Sequence, residues 1–206
     1  MKYFLLPILL FVSSNISAQT IKYQKVDLVE ERAQIRVGEF SIHYKAQLTE
    51  NTYYTHFIVP LWKPSVGIIH DNVLDTIFQV SYDGRFKYAH FYQSELNPEE
   101  FIIAGVYGFE DGITYIHFLE FRGSKANYLD KLYLHKKKDH PPFLGGFYGV
   151  FPENELLVQK VDDIIELRLS DGEYITIRNG EDVVINGPFI FRFQENKLEL
   201  ISGNMN

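Results

Sequence analysis

Cysteine is absent from this 206-residue chain, and that absence removes several chemistries at once. It leaves no disulfide framework, no thiolate nucleophile or metal ligand, and no attachment point for a thioether lipid anchor. Tryptophan occurs once, as Trp62. The seven histidines, His43, His56, His70, His90, His117, His135 and His140, form no His-x-His or His-x-x-x-His pair of the kind that sets two metal ligands on one strand or helix face. The sequence has neither a Gly-x-Ser-x-Gly elbow nor a glycine-rich phosphate loop between a strand and a helix. Basic residues are outnumbered 20 to 27 by acidic ones, for a net charge of −7, which disfavours nucleic acid and anionic membranes as partners.

Long apolar runs are also missing. The most apolar stretch, Tyr3 to Val12, is broken by Pro7 and is well short of the roughly 20 residues that cross a bilayer. Preceded by Lys2 and followed by small residues up to Ala18, it has the three parts of a secretory signal peptide, so residues 1–18 are expected to be cleaved and residues 19–206 to form one all-β domain. No Asn-x-Ser/Thr acceptor occurs beyond the signal region, and together with the lack of cysteine this favours a bacterial periplasmic or secreted protein. Stable membrane insertion is not expected. An outer-membrane barrel is disfavoured by the prolines between strands and by an ending, LELISGNMN, without a terminal aromatic.

What the chain has in excess is aromatic surface: 17 phenylalanines and 14 tyrosines. Much of it lies in alternating runs, the period of a strand that buries one face. The segment Phe101–Gly123 predicts a hairpin around Glu110-Asp111-Gly112. In a three-residue register Phe109 faces Ile113, Tyr107 faces Tyr115, Gly105 faces His117, Ile103 faces Leu119 and Phe101 faces Phe121. Those residues make a large apolar face. Ile102, Ala104, Val106, Ile116 and Phe118 make a smaller one, so the hairpin is expected in the middle of a sheet, covered on both sides. Tyr82-Asp83-Gly84 and Ser170-Asp171-Gly172 repeat the x-Asp-Gly device and predict two more hairpins. The first groups Thr76, Phe78 and Val80 with Phe86, Tyr88 and His90; the second groups Ile165 and Leu167 with Ile175 and Ile177.

Ile21–Arg36 is left unassigned, an edge strand over Ile21–Asp27 and a short helix or a strand over Leu28–Arg36 being the options. Phe40, Ile42, Tyr44, Ala46 and Leu48 alternate with Ser41, His43, Lys45 and Gln47, predicting a half-buried strand that turns at Glu50-Asn51 into Thr52–Val59. Pro60 and Pro64 break the pattern around Trp62. Gly123–Asn127 reads as a connector, Tyr128–His135 as a strand, and Gln194–Lys197 as the turn of a last hairpin. The total is about a dozen strands with short connections, expected as an antiparallel meander forming a sandwich or up-and-down barrel. Phe109, Phe151 and Phe193 recur every 42 residues, which raises a propeller-like repeat as the alternative, although the strands between them are unequal in number.

Functional candidates are few. Gly105 has no side chain, so in the expected register it leaves a niche rimmed by Tyr107, Tyr115 and His117, a candidate ligand pocket unless another aromatic fills it. Trp62, held between prolines, is a second binding candidate. Lys136–Lys138 with His135 and His140 form a basic loop. Asp71, Asn72 and Asp75 offer oxygen ligands without the spacing of a calcium loop. The acidic pairs Glu99-Glu100, Glu110-Asp111 and Asp162-Asp163 fit turns. No catalytic residue, metal or cofactor is assigned. The expectation is an exported, non-catalytic β domain that binds a small apolar or glycan ligand or a partner protein. The competing class is a hydrolase of envelope polymers using carboxylates as acid and base.

Overall fold

The computed structural model describes residues 19–32, 34–37, 39–59, 63–79, 85–109, 112–137, 149–178, 181–195 and 197–203. Among them every regular element is a β-strand. The chain enters through β1 (Thr20–Val26) and two short pieces, β2 (Glu30–Glu31) and β3 (Ile35–Val37). A first meander follows, β4 (Phe40–Thr49), β5 (Thr52–Val59), β6 (Lys63–His70) and β7 (Val73–Gln79), and then a second, β8 (Arg85–Ser94), β9 (Glu100–Phe109), β10 (Gly112–Arg122) and β11 (Lys125–Leu132). The remainder is β12 (His135–Lys137), β13 (Gly149–Val150), β14 (Leu156–Val161), β15 (Ile164–Leu169), β16 (Glu173–Arg178), β17 (Glu181–Asn186), β18 (Phe189–Gln194) and β19 (Lys197–Ser202). The count exceeds the expected dozen, in part because β2, β3, β12 and β13 are only two or three residues long.

These strands make three antiparallel sheets. The largest has nine strands in the order β11-β10-β9-β8-β1-β14-β15-β18-β19. It curls until its two edges approach, where the Leu198 amide of β19 donates to the Asp130 carboxylate of β11 at 2.7 Å. Near-closure hides edges that would otherwise be open to pairing. β1, in the segment that the sequence leaves unassigned, is an interior strand and not an edge. It sits between β8 and β14 and joins the two halves of the curled sheet, because pairing partners distant in sequence leave no local trace.

The central hairpin is where alternation reads most cleanly. Tyr107 faces Tyr115, Gly105 faces His117, Ile103 faces Leu119 and Phe101 faces Phe121. Only the tip differs: Gly112 pairs with Phe109 and Ile113 with Gly108, and the irregularity falls between Ile113 and Tyr115. Both faces are covered, for different reasons. The small face, Ile102, Ala104, Val106, Ile116 and Phe118, points into the curled sheet and packs with Val158, Leu167, Phe191 and Phe193. The large face points outward and meets the six-stranded sheet of β2 to β7 through Tyr44, Ala46, Leu48, Tyr54, Val66 and Ile68. At about 1.5–3 kcal/mol for each large apolar side chain taken from water, these two interfaces supply most of the drive to fold. A four-stranded sheet, β13-β12-β16-β17, contributes Tyr174 and Ile185 to the interior core.

The other two x-Asp-Gly segments do not make hairpins. β7 pairs with β6, whereas β8 pairs with β9 and β1, so the chain changes sheet across residues 80–84, which lie outside the described residues. β15 pairs with β14 and β18, while β16 pairs with β12 and β17; Ile175 is buried as expected, but Ile177 is exposed and Tyr174 and Thr176 are buried, so the expected grouping is not kept. Such a turn reverses the chain without dictating which neighbour the returning strand will bond. The tight hairpins lie elsewhere, at Asp71-Asn72 (φ 47° and 66°) and Asp162-Asp163 (φ 49° and 67°), the paired left-handed residues of a type I′ turn. The Glu50-Asn51 turn and the last hairpin, β18–β19, are as expected. The Gly123–Asn127 connector is not: the turn is confined to Gly123-Ser124, and β11 starts at Lys125.

Two β-bulges reshape the expected faces. On β4 the pairing runs from Ile42↔Phe57 to Tyr44↔His56, leaving His43 extra. On β8 it runs from Phe86↔Tyr107 to Tyr88↔Val106, leaving Lys87 extra. Alternation therefore changes phase at each. Ile42, with Phe40 against it, joins a separate small core with Phe57 and Ile69, apart from Tyr44, Ala46 and Leu48. Phe86 likewise packs outward while Tyr88 packs inward. The 42-residue period has no structural counterpart, since Phe109 ends β9, Phe151 follows β13 and Phe193 lies within β18.

Candidate functional site

Gly105, Tyr107, Tyr115 and His117 are brought together as the register required, and all are buried. The space above Gly105 belongs to Tyr54 of β5, whose hydroxyl lies 3.1 Å from where a Cβ on Gly105 would be. His117 is packed edge-on against Tyr107 and Tyr115 at ring separations of 4.9 and 4.8 Å, and its Nδ1 shares a 3.0 Å hydrogen bond with the Tyr128 hydroxyl. Trp62 lies outside the described residues.

One open cleft lies beside this tyrosine cluster. A cleft of about 380 Å³ opens between the six-stranded sheet and β8, lined among the described residues by Arg32, His43, Tyr44, His56, Ile58, Arg85, Phe86 and Lys87. Tyr107 stands behind it, 5.7 Å from Phe86 and 5.9 Å from His56 between ring centres. Both bulged residues, His43 and Lys87, are in the lining, in keeping with the way a bulge redirects side chains beside a site. The Lys87 carbonyl accepts a 2.8 Å hydrogen bond from Arg32, whose guanidinium also lies over the Tyr44 ring. The Glu30 carboxylate sits beside the Tyr44 hydroxyl, and burial first and Glu30 second push that phenol up.

His56 is the polar centre of the cleft. It is 7% exposed and stacks on Phe86 with ring centres 4.8 Å apart and planes 16° from parallel. Burial, with His43 adding to it, lowers its pKa from 6.5 to about 4, so the ring is neutral at pH 7. Its Nε2 has no protein hydrogen-bond partner among the described residues. A buried polar atom left unpaired costs about 1–3 kcal/mol, and this one is shut off from solvent.

The carboxylates are elsewhere. Inside the curled sheet, the Lys160 ammonium donates to Glu100 and Glu120 at 3.0 Å each, and the Tyr23 hydroxyl donates to Glu100 at 2.5 Å. Burial pulls the Glu100 pKa up, but the bonds from Tyr23 and Lys160 outweigh it and hold it below the usual carboxylate range. Glu166 is fully buried beneath Arg168, Arg192 and Gln159, which likewise hold it low against the cost of burial. A general acid needs the opposite shift. Glu99 and the Asp162-Asp163 pair are exposed. Glu110-Asp111 lies outside the described residues, as do Lys138 and His140 of the basic loop, whereas His135 is buried and Lys136 is paired with Glu155. Among the described residues no group of three or more acidic or histidine side chains is arranged to hold a metal ion, and no helix is long and apolar enough to cross a membrane.

The sequence reading placed His43 on an outward polar face and assigned no role to His56, Arg32, Arg85 or Lys87. Alternation marks neither bulge: Phe86, Tyr88, His90 and Tyr92 keep large side chains on even positions straight through Lys87, and Ile42, Tyr44 and Ala46 do the same through His43. Compared with known proteins, the chain matches no family model, no curated protein and no solved structure.

Proposed function

We propose that this chain is an exported, non-catalytic β domain that binds a small, largely apolar ligand in the cleft between its six-stranded sheet and β8. The observation that carries the reading is the cleft itself: about 380 Å³, walled by Phe86, Tyr44 and Ile58, with His43 and His56 also in its lining. Apolar walls with a few placed polar groups are the usual construction of a small-molecule site, and the volume is within the range such sites occupy. A hydrolase reading draws less support. The carboxylates that converge, Glu100 and Glu120, are bonded to Lys160 inside the curled sheet, and the cleft lining has no acidic residue among those described.

A direct test is fluorescence titration with phenylnaphthylamine, a neutral probe that brightens in apolar sites. Binding that saturates at one site in the native protein and is lost in Ile58→Trp, where the indole fills the cleft, supports the reading. Equal binding by both proteins counts against it.

A further inference from the structure

The cleft is electrostatically lopsided. The chain as a whole is acidic, with a net charge of −7, yet the described lining contains Arg32, Arg85 and Lys87 and no carboxylate. Glu30, beside the Tyr44 hydroxyl, is the acid the structure places near Arg32 and Tyr44, and it offsets one of the three positive charges. These cations come from two places in the chain: Arg32 from the segment after β2, and Arg85 and the bulged Lys87 from the start of β8. Arg32 spends one N–H on the Lys87 carbonyl, and its planar fork has further donors. A concentration of one sign of charge against low-dielectric aromatic walls focuses field into the cleft.

Resting on the small-ligand reading above, we propose that the cleft selects organic anions: a planar aromatic body seated between Phe86, Tyr44 and Ile58, with a carboxylate or sulfonate at the mouth held by Arg32, Arg85 and Lys87. The aromatic floor orients the body by ring contact. The His56 ring, stacked on Phe86, extends that aromatic wall. A neutral ligand of the same shape offers no anion to Arg85, Lys87 and the remaining Arg32 N–H groups, so discrimination arises at the mouth rather than in the apolar floor.

Anilinonaphthalene sulfonate and phenylnaphthylamine share one ring system and differ by the sulfonate, so their affinities isolate the charge. The native protein is expected to bind the sulfonate about tenfold or more tightly than the neutral probe, the scale of one charge-assisted hydrogen bond. That advantage is expected to shrink in Arg85→Gln and in Lys87→Gln, which keeps the backbone carbonyl that Arg32 uses, and to fall with added salt. Denaturation midpoints of the variants confirm that each is folded. Equal affinity for the two probes, with both lost in Ile58→Trp, overturns the anion inference while leaving a ligand cleft. Binding of both probes that Ile58→Trp leaves unchanged overturns the cleft reading beneath it.

Discussion

A Cβ on Gly105 would lie 3.1 Å from the Tyr54 hydroxyl and 3.3 Å from the Tyr107 ring, and both tyrosines are fully buried. Gly105→Ala is therefore an overpacking change, expected to lower stability by about 1–3 kcal/mol in urea denaturation; an unchanged midpoint would show that Tyr54 yields without cost. His56 gives a pH prediction at the same scale. Its folded pKa, about 4, is depressed below the ordinary 6.5, so its contribution to stability is present above pH 6.5 and is lost as the pH falls toward 4. His90, lowered to about 4 by burial and then by Lys25, acts in the same window. Stability of the native protein should fall over this range, and His56→Asn should show a shallower fall when urea midpoints at the two ends are compared. The Gly105 register was legible because Gly105 and His117 belong to one hairpin; that Tyr54 stands over Gly105 was not, since Tyr54 arrives from another sheet.

Between elements, the turns divide into those that chemistry marks and those that it does not. Asp162 and Asp163 both hold left-handed backbone, a conformation that costs residues other than glycine roughly 1–2 kcal/mol and Asp less than most. Asp163→Gly is expected to raise stability by up to about 1 kcal/mol, readable as a higher urea midpoint; a lower one would mean that the Asp163 side chain holds the turn. Conversely, Asp83-Gly84 and Asp171-Gly172 carry strong turn chemistry and yet lie between strands of different sheets. A turn sequence sets a local reversal, but the partner of the returning strand is chosen by where its apolar face can be buried. Tyr174 goes to the interior core beside Phe189, and that destination is set by strands far away in sequence. The bulges at His43 and Lys87 are the same kind of feature. Each changes which face later residues present, and together they assemble a cleft that alternation alone assigns to two unrelated outward surfaces.

At the scale of the whole molecule, the curled sheet has an apolar interior that also encloses an ion cluster. Lys160, 4% exposed, holds Glu100 and Glu120, and burial, which would lower its pKa, is outweighed by those two bonds. Lys160→Met would leave two carboxylates facing a core with their cation gone. Loss of about 3–5 kcal/mol is expected, the cost of stranding a buried charge, and a loss under 1 kcal/mol would mean that water reaches the cluster. The fold class was legible at this scale because an aromatic-rich chain with period-two alternation and short connections has few ways to bury both faces of its central hairpin. The closing contact between β11 and β19, and the placement of β1 between the two halves, were not legible, because both join segments far apart in the chain.

A ligand cleft at the seam between the six-stranded sheet and β8 is tested by mapping amide chemical-shift changes as anilinonaphthalene sulfonate is titrated into the isotopically labelled protein. Saturable shifts concentrated at His43, Tyr44, His56, Ile58, Phe86 and Lys87 are the predicted result. Shifts confined to other surfaces, with these residues unmoved at saturation, would contradict it.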